Sequence, residues 1–122
     1  MQNHRNLAVW QKAHALAVAV NDLVRPIERR DRSGFSSQAR RAALSIPSNI
    51  AEGCGRQSNR DLAKFLQIAI ASATELEYQL EFAAATKLVA ESTTDPLRTQ
   101  TIEVRRMLFG LLKRVKERRE KV

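Results

Sequence analysis

The chain has 122 residues, 43% of them hydrophobic and 28% charged, and its 21 Lys/Arg against 13 Asp/Glu give a formal charge of +8 and a pI near 10.6. That is one domain, residues 1–122, able to bury roughly two thirds of the surface its unfolded form exposes; a second domain is not expected. No apolar run nears the roughly 20 residues of a membrane span, and Asn3, His4 and Arg5 head no signal-peptide core, so a soluble, cytoplasmic protein is expected, while the single cysteine, Cys54, excludes an internal disulfide.

The first segment with helical periodicity is Leu7 to about Arg25, where Trp10, Ala13, Ala17, Val20 and Val24 recur every three or four residues, Asn6 is available as N-cap and Pro26 marks the end. Arg25 to Phe35 reads as a loop, with Pro26, four arginines, Ser33 and Gly34. A second helix is predicted over 36–53, kinked at Pro47, because proline removes the bond to the Ala43 carbonyl and crowds that turn. Its polar stripe Arg41, Ser45, Asn49 and Glu52 runs beside an apolar line of Ala39, Ala42, Ile46 and Ile50. Such a stripe is costly to bury unless its groups find partners.

Gly53-Cys54-Gly55 closes that helix, and Ser58 with Asp61 three residues later forms a capping box for the third, predicted over 59–89. Leu62, Phe65, Leu66, Ala69, Ser72, Ala73, Leu76, Leu80 and Ala83 make a heptad-like seam, which marks this helix as the most buried. Asp95-Pro96 offers the start of a fourth helix over 96–117, with Leu97, Thr101, Val104, Leu108, Leu111 and Val115 inward. Nothing alternates as a strand does, so the fold class is all-α, an up-and-down four-helix bundle. Alanines along the seams make it slim. Apolar residues off the seam, Val18, Leu23, Ile68, Ile70 and Phe82, imply a second covered face and therefore self-association.

Arg40 to Gly53, reading Arg-Arg-Ala-Ala-Leu-Ser-Ile-Pro-Ser-Asn-Ile-Ala-Glu-Gly, with the flanking Gln38, Arg56, Ser58, Phe65, Leu66, Ala69, Ser72, Glu75 and Leu76 and the opening Leu7 to Ala13, resembles the bacterial family encoded by intervening sequences within large-subunit (23S) ribosomal RNA genes. The likeness spans roughly Leu7 to Val89. Cys54 stands where an aromatic is common in that family, and the Arg29 to Phe35 turn is richer in arginine than usual. The resemblance implies a four-helix bundle assembled as a ring-shaped homopentamer, similar to the basic, nucleic-acid-binding accessory proteins of diversity-generating retroelements. Five such chains would carry a charge of about +40, and a ring would present equivalent arginines to successive phosphates.

The charge is unevenly placed: residues 1–60 hold ten Lys/Arg and four Asp/Glu, residues 61–92 two and five, and residues 93–122 nine and four. Basic excess of this size suits polyanions, RNA or DNA, and Arg40, Arg56, Arg60, Arg105, Arg106, Lys113, Arg114, Arg118 and Arg119 are the candidate phosphate contacts. With 5% aromatic residues and no groove-reading motif, backbone and shape are expected to be read rather than bases. Arg41, Ser45, Asn49, Glu52 and Glu75 are expected to form a structural polar network, because a stripe mixing acids, an amide and arginine can satisfy itself, whereas a phosphate site would exclude the acids.

Enzymatic readings find little support. His4 and His14 are the only histidines and have no Cys or carboxylate at ligand spacing, so no metal and no cofactor is expected. Cys54, between two glycines, has no neighbour suited to act as its base. Two non-enzymatic functions follow: a nucleic-acid-binding oligomer of low sequence preference, or a protein-interaction adaptor that docks a nucleic-acid enzyme and uses its charge to steer an acidic partner.

Overall fold

The computed structural model describes residues 3–120, with side chains through Arg118. A 3₁₀ turn, His4–Asn6, leads into four helices: α1, Ala8–Val24; α2, Phe35–Cys54; α3, Asn59–Ala85; and α4, Glu91–Glu120. No strand occurs among the described residues. α1 and α3 each pack on α2 and α4, and the two diagonal pairs stand farther apart, so the helices form a square with antiparallel neighbours.

The seams meet inside this square. Leu16, Ile46, Ile50, Leu66, Leu76, Leu80 and Leu108 are fully buried, interleaved with the fully buried alanines Ala13, Ala39, Ala69, Ala73 and Ala83. Each large side chain stabilises the fold by roughly 1.5–3 kcal/mol, and the alanines between them let the axes approach. Of the inward positions expected on α1, Ala13, Val20 and Val24 are fully buried and Trp10 and Ala17 half-buried, while Val9 and Leu16 also enter the core. α4 buries all six expected positions and also Thr94 and Leu112.

Helix ends show where local signals were overridden. Asn6 does not cap α1: it lies inside the 3₁₀ turn, Leu7 is the N-cap residue, and Asn3 Oδ1 accepts the Arg5 N–H at 3.0 Å. α2 starts on Gly34, whose φ of 84° favours glycine, and Asp31 supplies the missing cap from outside the helix, accepting the Ser36 N–H at 2.7 Å and the Ser33 N–H at 2.9 Å. α2 then continues unbroken through the buried Pro47.

α3 begins as expected, with Ser58 Oγ accepting the Asp61 N–H at 3.1 Å. It ends at Ala85 rather than 89, because Lys87 adopts a left-handed φ of 62° and closes a Schellman motif: the Leu88 N–H reaches the Ala83 carbonyl and the Lys87 N–H the Ala84 carbonyl, both at 3.0 Å. α4 starts at Glu91, not 96. Asp95-Pro96 lies one turn inside it, because the preceding turn is pinned by the burial of Thr94, whose hydroxyl donates to the Glu91 carbonyl at 3.2 Å.

Candidate nucleic-acid interface

Antiparallel packing gathers the α1 N-terminus, the α2–α3 turn and the α4 C-terminus at one end of the bundle. With each helix cut at its midpoint, this end, residues 3–16, 45–72 and 106–120, holds eleven Lys/Arg and four Asp/Glu. The opposite end, residues 17–44 and 73–105, holds nine of each. Nearly all of the net charge therefore resides at one end.

That end is built around Gly53. A Cβ there would meet Leu62 Cδ1 at 2.9 Å and Phe65 Cβ at 3.0 Å, so glycine lets the end of α2 lie directly on the first turn of α3. The tight turn that follows, with the Arg56 N–H on the Gly53 carbonyl at 3.1 Å, carries Arg56, Gln57 and Ser58 over the α3 N-terminus. Together with Gly53, Cys54, Asn59, Leu62 and Arg118 they line a concavity of about 270 Å³. A second hollow of about 270 Å³ opens beside it between Leu7–Val9 of the α1 entry and Met107, Gly110, Leu111 and Arg114 of α4. The two share the basic end of the molecule.

The nine candidate phosphate contacts divide into two groups. Arg40 is committed to the scaffold, donating to Asn21 Oδ1 and pairing with Glu28 at 2.9 Å each. Arg105 pairs with Glu77 at 2.6 Å and donates to Thr74 at 3.3 Å. Arg56 pairs with Glu52 at 3.2 Å and lies 4.9 Å over the Phe65 ring, a cation–π contact that also orders the turn. Arg60, Arg106, Lys113, Arg114 and Arg118 are exposed and belong to no ion pair among the described residues. The Arg119 side chain lies outside the described ones. Arg5 and Lys64, not singled out in the sequence, share this end; only the helix packing reveals it.

The stripe on α2 separates in a similar way. Ser45 Oγ bonds Ser72 Oγ across the α2–α3 contact at 2.8 Å, and Asn49 Nδ2 donates to both the Ser45 hydroxyl, at 2.9 Å, and the Ser45 carbonyl, at 2.8 Å. Glu52 pairs with Arg56 instead, Glu75 accepts from Gln79 at 3.4 Å, and Arg41 is exposed with no partner among the described residues. A compact Ser45–Asn49–Ser72 knot thus joins the helices, with the charged members outside it.

Elsewhere, Lys12 of α1 pairs with Glu103 of α4; this hydrogen bond and charge, helped by Arg106, hold the Glu103 carboxyl below its ordinary range. At the opposite end burial would raise Asp31, but the hydrogen bonds from Ser33 and Ser36 outweigh it and leave it at about 2. Burial raises the Cys54 thiol, which disfavours the thiolate. His14 stacks flat on Trp10 at 5.2 Å and His4 meets the same ring edge-on at 4.8 Å, so both imidazoles are packed on one indole. Among the described residues no cluster of three His, Cys, Asp or Glu is placed to hold a metal, and no helix is long and apolar enough to cross a membrane.

Comparison with known proteins accords with this architecture. The family described as "23S rRNA-intervening sequence protein" matches residues 5–110. Among solved structures, a protein of unknown function from the S23 ribosomal protein family of Bacteroides thetaiotaomicron VPI-5482 is 28% identical, covers 87% of this chain and 99% of its own, and superposes with a TM-score of 0.82. No curated protein matches the chain.

Proposed function

The chain belongs to the 23S rRNA-intervening sequence protein family, and we propose that it acts without catalysis, as a self-associating bundle that binds structured RNA or DNA through phosphate contacts at its basic end. The observation that carries this reading is the one-sided charge, eleven Lys/Arg to four Asp/Glu at one end against nine of each at the other. Arg60, Arg114 and Arg118 converge there from two helices, with Arg106 and Lys113 along the same half of α4. Unpaired cations spaced over such a surface attract a phosphate backbone and displace its counterions, with no sequence preference. Assembly multiplies the effect, because each protomer adds a second grip at high effective concentration.

Self-association is assigned to the outer face of α2 and α3. On α3, Tyr78 and Phe82 lie four residues apart and Ile68 two heptads before Phe82; they are 64%, 36% and 43% exposed, while Leu44 on α2 is 60% exposed. A ring of five, the assembly the family resemblance implies, would cover this face and leave the basic ends side by side. The same apolar face also suits docking on a nucleic-acid enzyme, the adaptor reading.

Fluorescence anisotropy with labelled hairpin RNA, run beside light scattering, tests the proposal. It expects an oligomeric mass and binding that weakens steeply with salt, log K falling by roughly 0.9 per phosphate neutralised for each unit of log salt. An oligomer that ignores the hairpin at low salt would leave only the adaptor reading. A monomer that ignores it would remove both.

A further inference from the structure

Phe109 is an anomaly on α4. It is 54% exposed in the middle of the helix's most cationic stretch. Arg105, Arg106, Lys113 and Lys116 stand four and three residues before it and four and seven after it, the spacings that put side chains on one helical face. Arg105 is held by Glu77 at 2.6 Å and Thr74 at 3.3 Å, which fixes the wall on the α3 side of the ring. Arg106 and Lys113 are exposed and in no ion pair among the described residues, and about 10 Å separates them along the helix axis, with the ring between them.

A phenyl ring left mostly in water forgoes the gain of burial, and nothing in the bundle needs this one, since the core of α4 is supplied by Leu108, Leu111 and Leu112. A second copy docked ring to ring would set Arg106 and Lys113 against their own equivalents, a juxtaposition of like charges that opposes a two-fold contact, whereas a head-to-tail contact in a closed ring escapes that repulsion and is an outcome of the test below. A partner carrying both a flat π-face and regularly spaced negative charge satisfies ring and cations together. Unpaired nucleotides have that combination, whereas a duplex keeps its bases stacked inside.

We propose that Phe109 is a stacking platform for an unpaired base of RNA or DNA whose flanking phosphates are held by Arg106 and Lys113. This rests on the nucleic-acid reading above and extends it: the α4 face takes a looped or single-stranded stretch beside the structured part gripped at the basic end. Aromatic stacking of this kind accepts any base, so sequence preference stays low.

The test uses the full chain with three labelled probes of about 20 units, oligouridylate, oligothymidylate and a fully paired duplex, the single strands also carrying a central 2-aminopurine. Phe109→Ala is expected to weaken both single strands between about fivefold and a hundredfold and to abolish 2-aminopurine quenching, to change duplex affinity by less than about twofold, and to leave the salt slope intact. Phe109→Tyr, which keeps the ring, is expected to retain single-strand binding and quenching. Loss on only one of the two single strands still supports stacking and identifies which of the two, the RNA or the DNA strand, the site accepts. Unchanged single-strand affinity for Phe109→Ala overturns the proposal, as does equal loss on the duplex, or a change in light-scattering mass with strand affinity intact, which would make the ring a contact between copies. Wild-type protein that binds the duplex and neither single strand removes this inference alone; protein that binds no probe removes the nucleic-acid reading as well.

Discussion

The two ends of this bundle are made of the same materials to different effect. At the balanced end every cation has a carboxylate to match it in number: Arg40, Arg98 and Arg105 are paired directly, with Glu28, Glu81 and Glu77, and Arg25, Arg29, Arg30, Arg32 and Arg41, exposed and in no ion pair among the described residues, are offset by the remaining acids of that end. At the other end Arg60, Arg114 and Arg118 are exposed and belong to no ion pair among the described residues, where eleven Lys/Arg stand against four Asp/Glu. Self-repulsion of this kind is destabilising, so the folded core must offset it, and the arrangement becomes intelligible if a polyanion supplies the missing charge. The difference teaches that net charge alone says little. Where the fold lets cations outnumber the carboxylates around them decides where a polyanion is drawn.

Stability measurements sharpen the contrast. The largest effect is expected at the basic end, where Gly53→Ala drives a methyl against Leu62 and Phe65 and should lower stability by about 1–3 kcal/mol in urea unfolding, loosening the turn that carries Arg56. Gly55, whose Cβ would meet nothing closer than the Glu52 carbonyl oxygen at 3.5 Å, should tolerate alanine far better.

A smaller effect belongs to the balanced end. Asp31→Ala should remove about 1 kcal/mol at neutral pH through the lost helix cap. Because the folded pKa of Asp31, about 2, lies below the ordinary 3.8, the unfolded chain binds its proton first as pH falls. Its contribution is complete above the ordinary carboxylate range and disappears between about pH 4 and pH 2, so the variant should lose stability less steeply than the parent across that window. The smallest effect is a gain: Lys87→Gly relieves a left-handed lysine at the end of α3 and should raise stability by about 0.5–1 kcal/mol, seen as a higher urea midpoint with an unchanged slope.

How much of this was legible beforehand depended on how far each feature's cause lay along the chain. The Ser58 cap and the α3 seam from Leu62 to Ala83 could be read directly, since partners three or four residues apart decide them. The end of α3 could not, because Lys87 takes a conformation that sequence reserves for glycine or asparagine, and only the packing around Leu88 and Val89 compensates it. Asp95-Pro96 misled because burial of Thr94 outweighed a good capping pair. The candidate arginines were identifiable as cations but not as free ones: the partners that occupy Arg40 and Arg105 lie 19 and 31 residues away in Asn21 and Thr74. The segregation of charge to one end appears only once α4 is laid against the α2–α3 turn.

The most direct test reverses charge at each end in turn and follows hairpin RNA by anisotropy at low salt. Arg114→Glu with Arg118→Glu should weaken binding by at least about tenfold and reduce the slope of log K against log salt by about two, whereas Arg29→Glu with Arg30→Glu, an equal change in net charge at the balanced end, should shift affinity by less than about threefold. Equal losses from the two pairs would contradict the account, since binding would then follow total charge and owe nothing to where the fold has placed it.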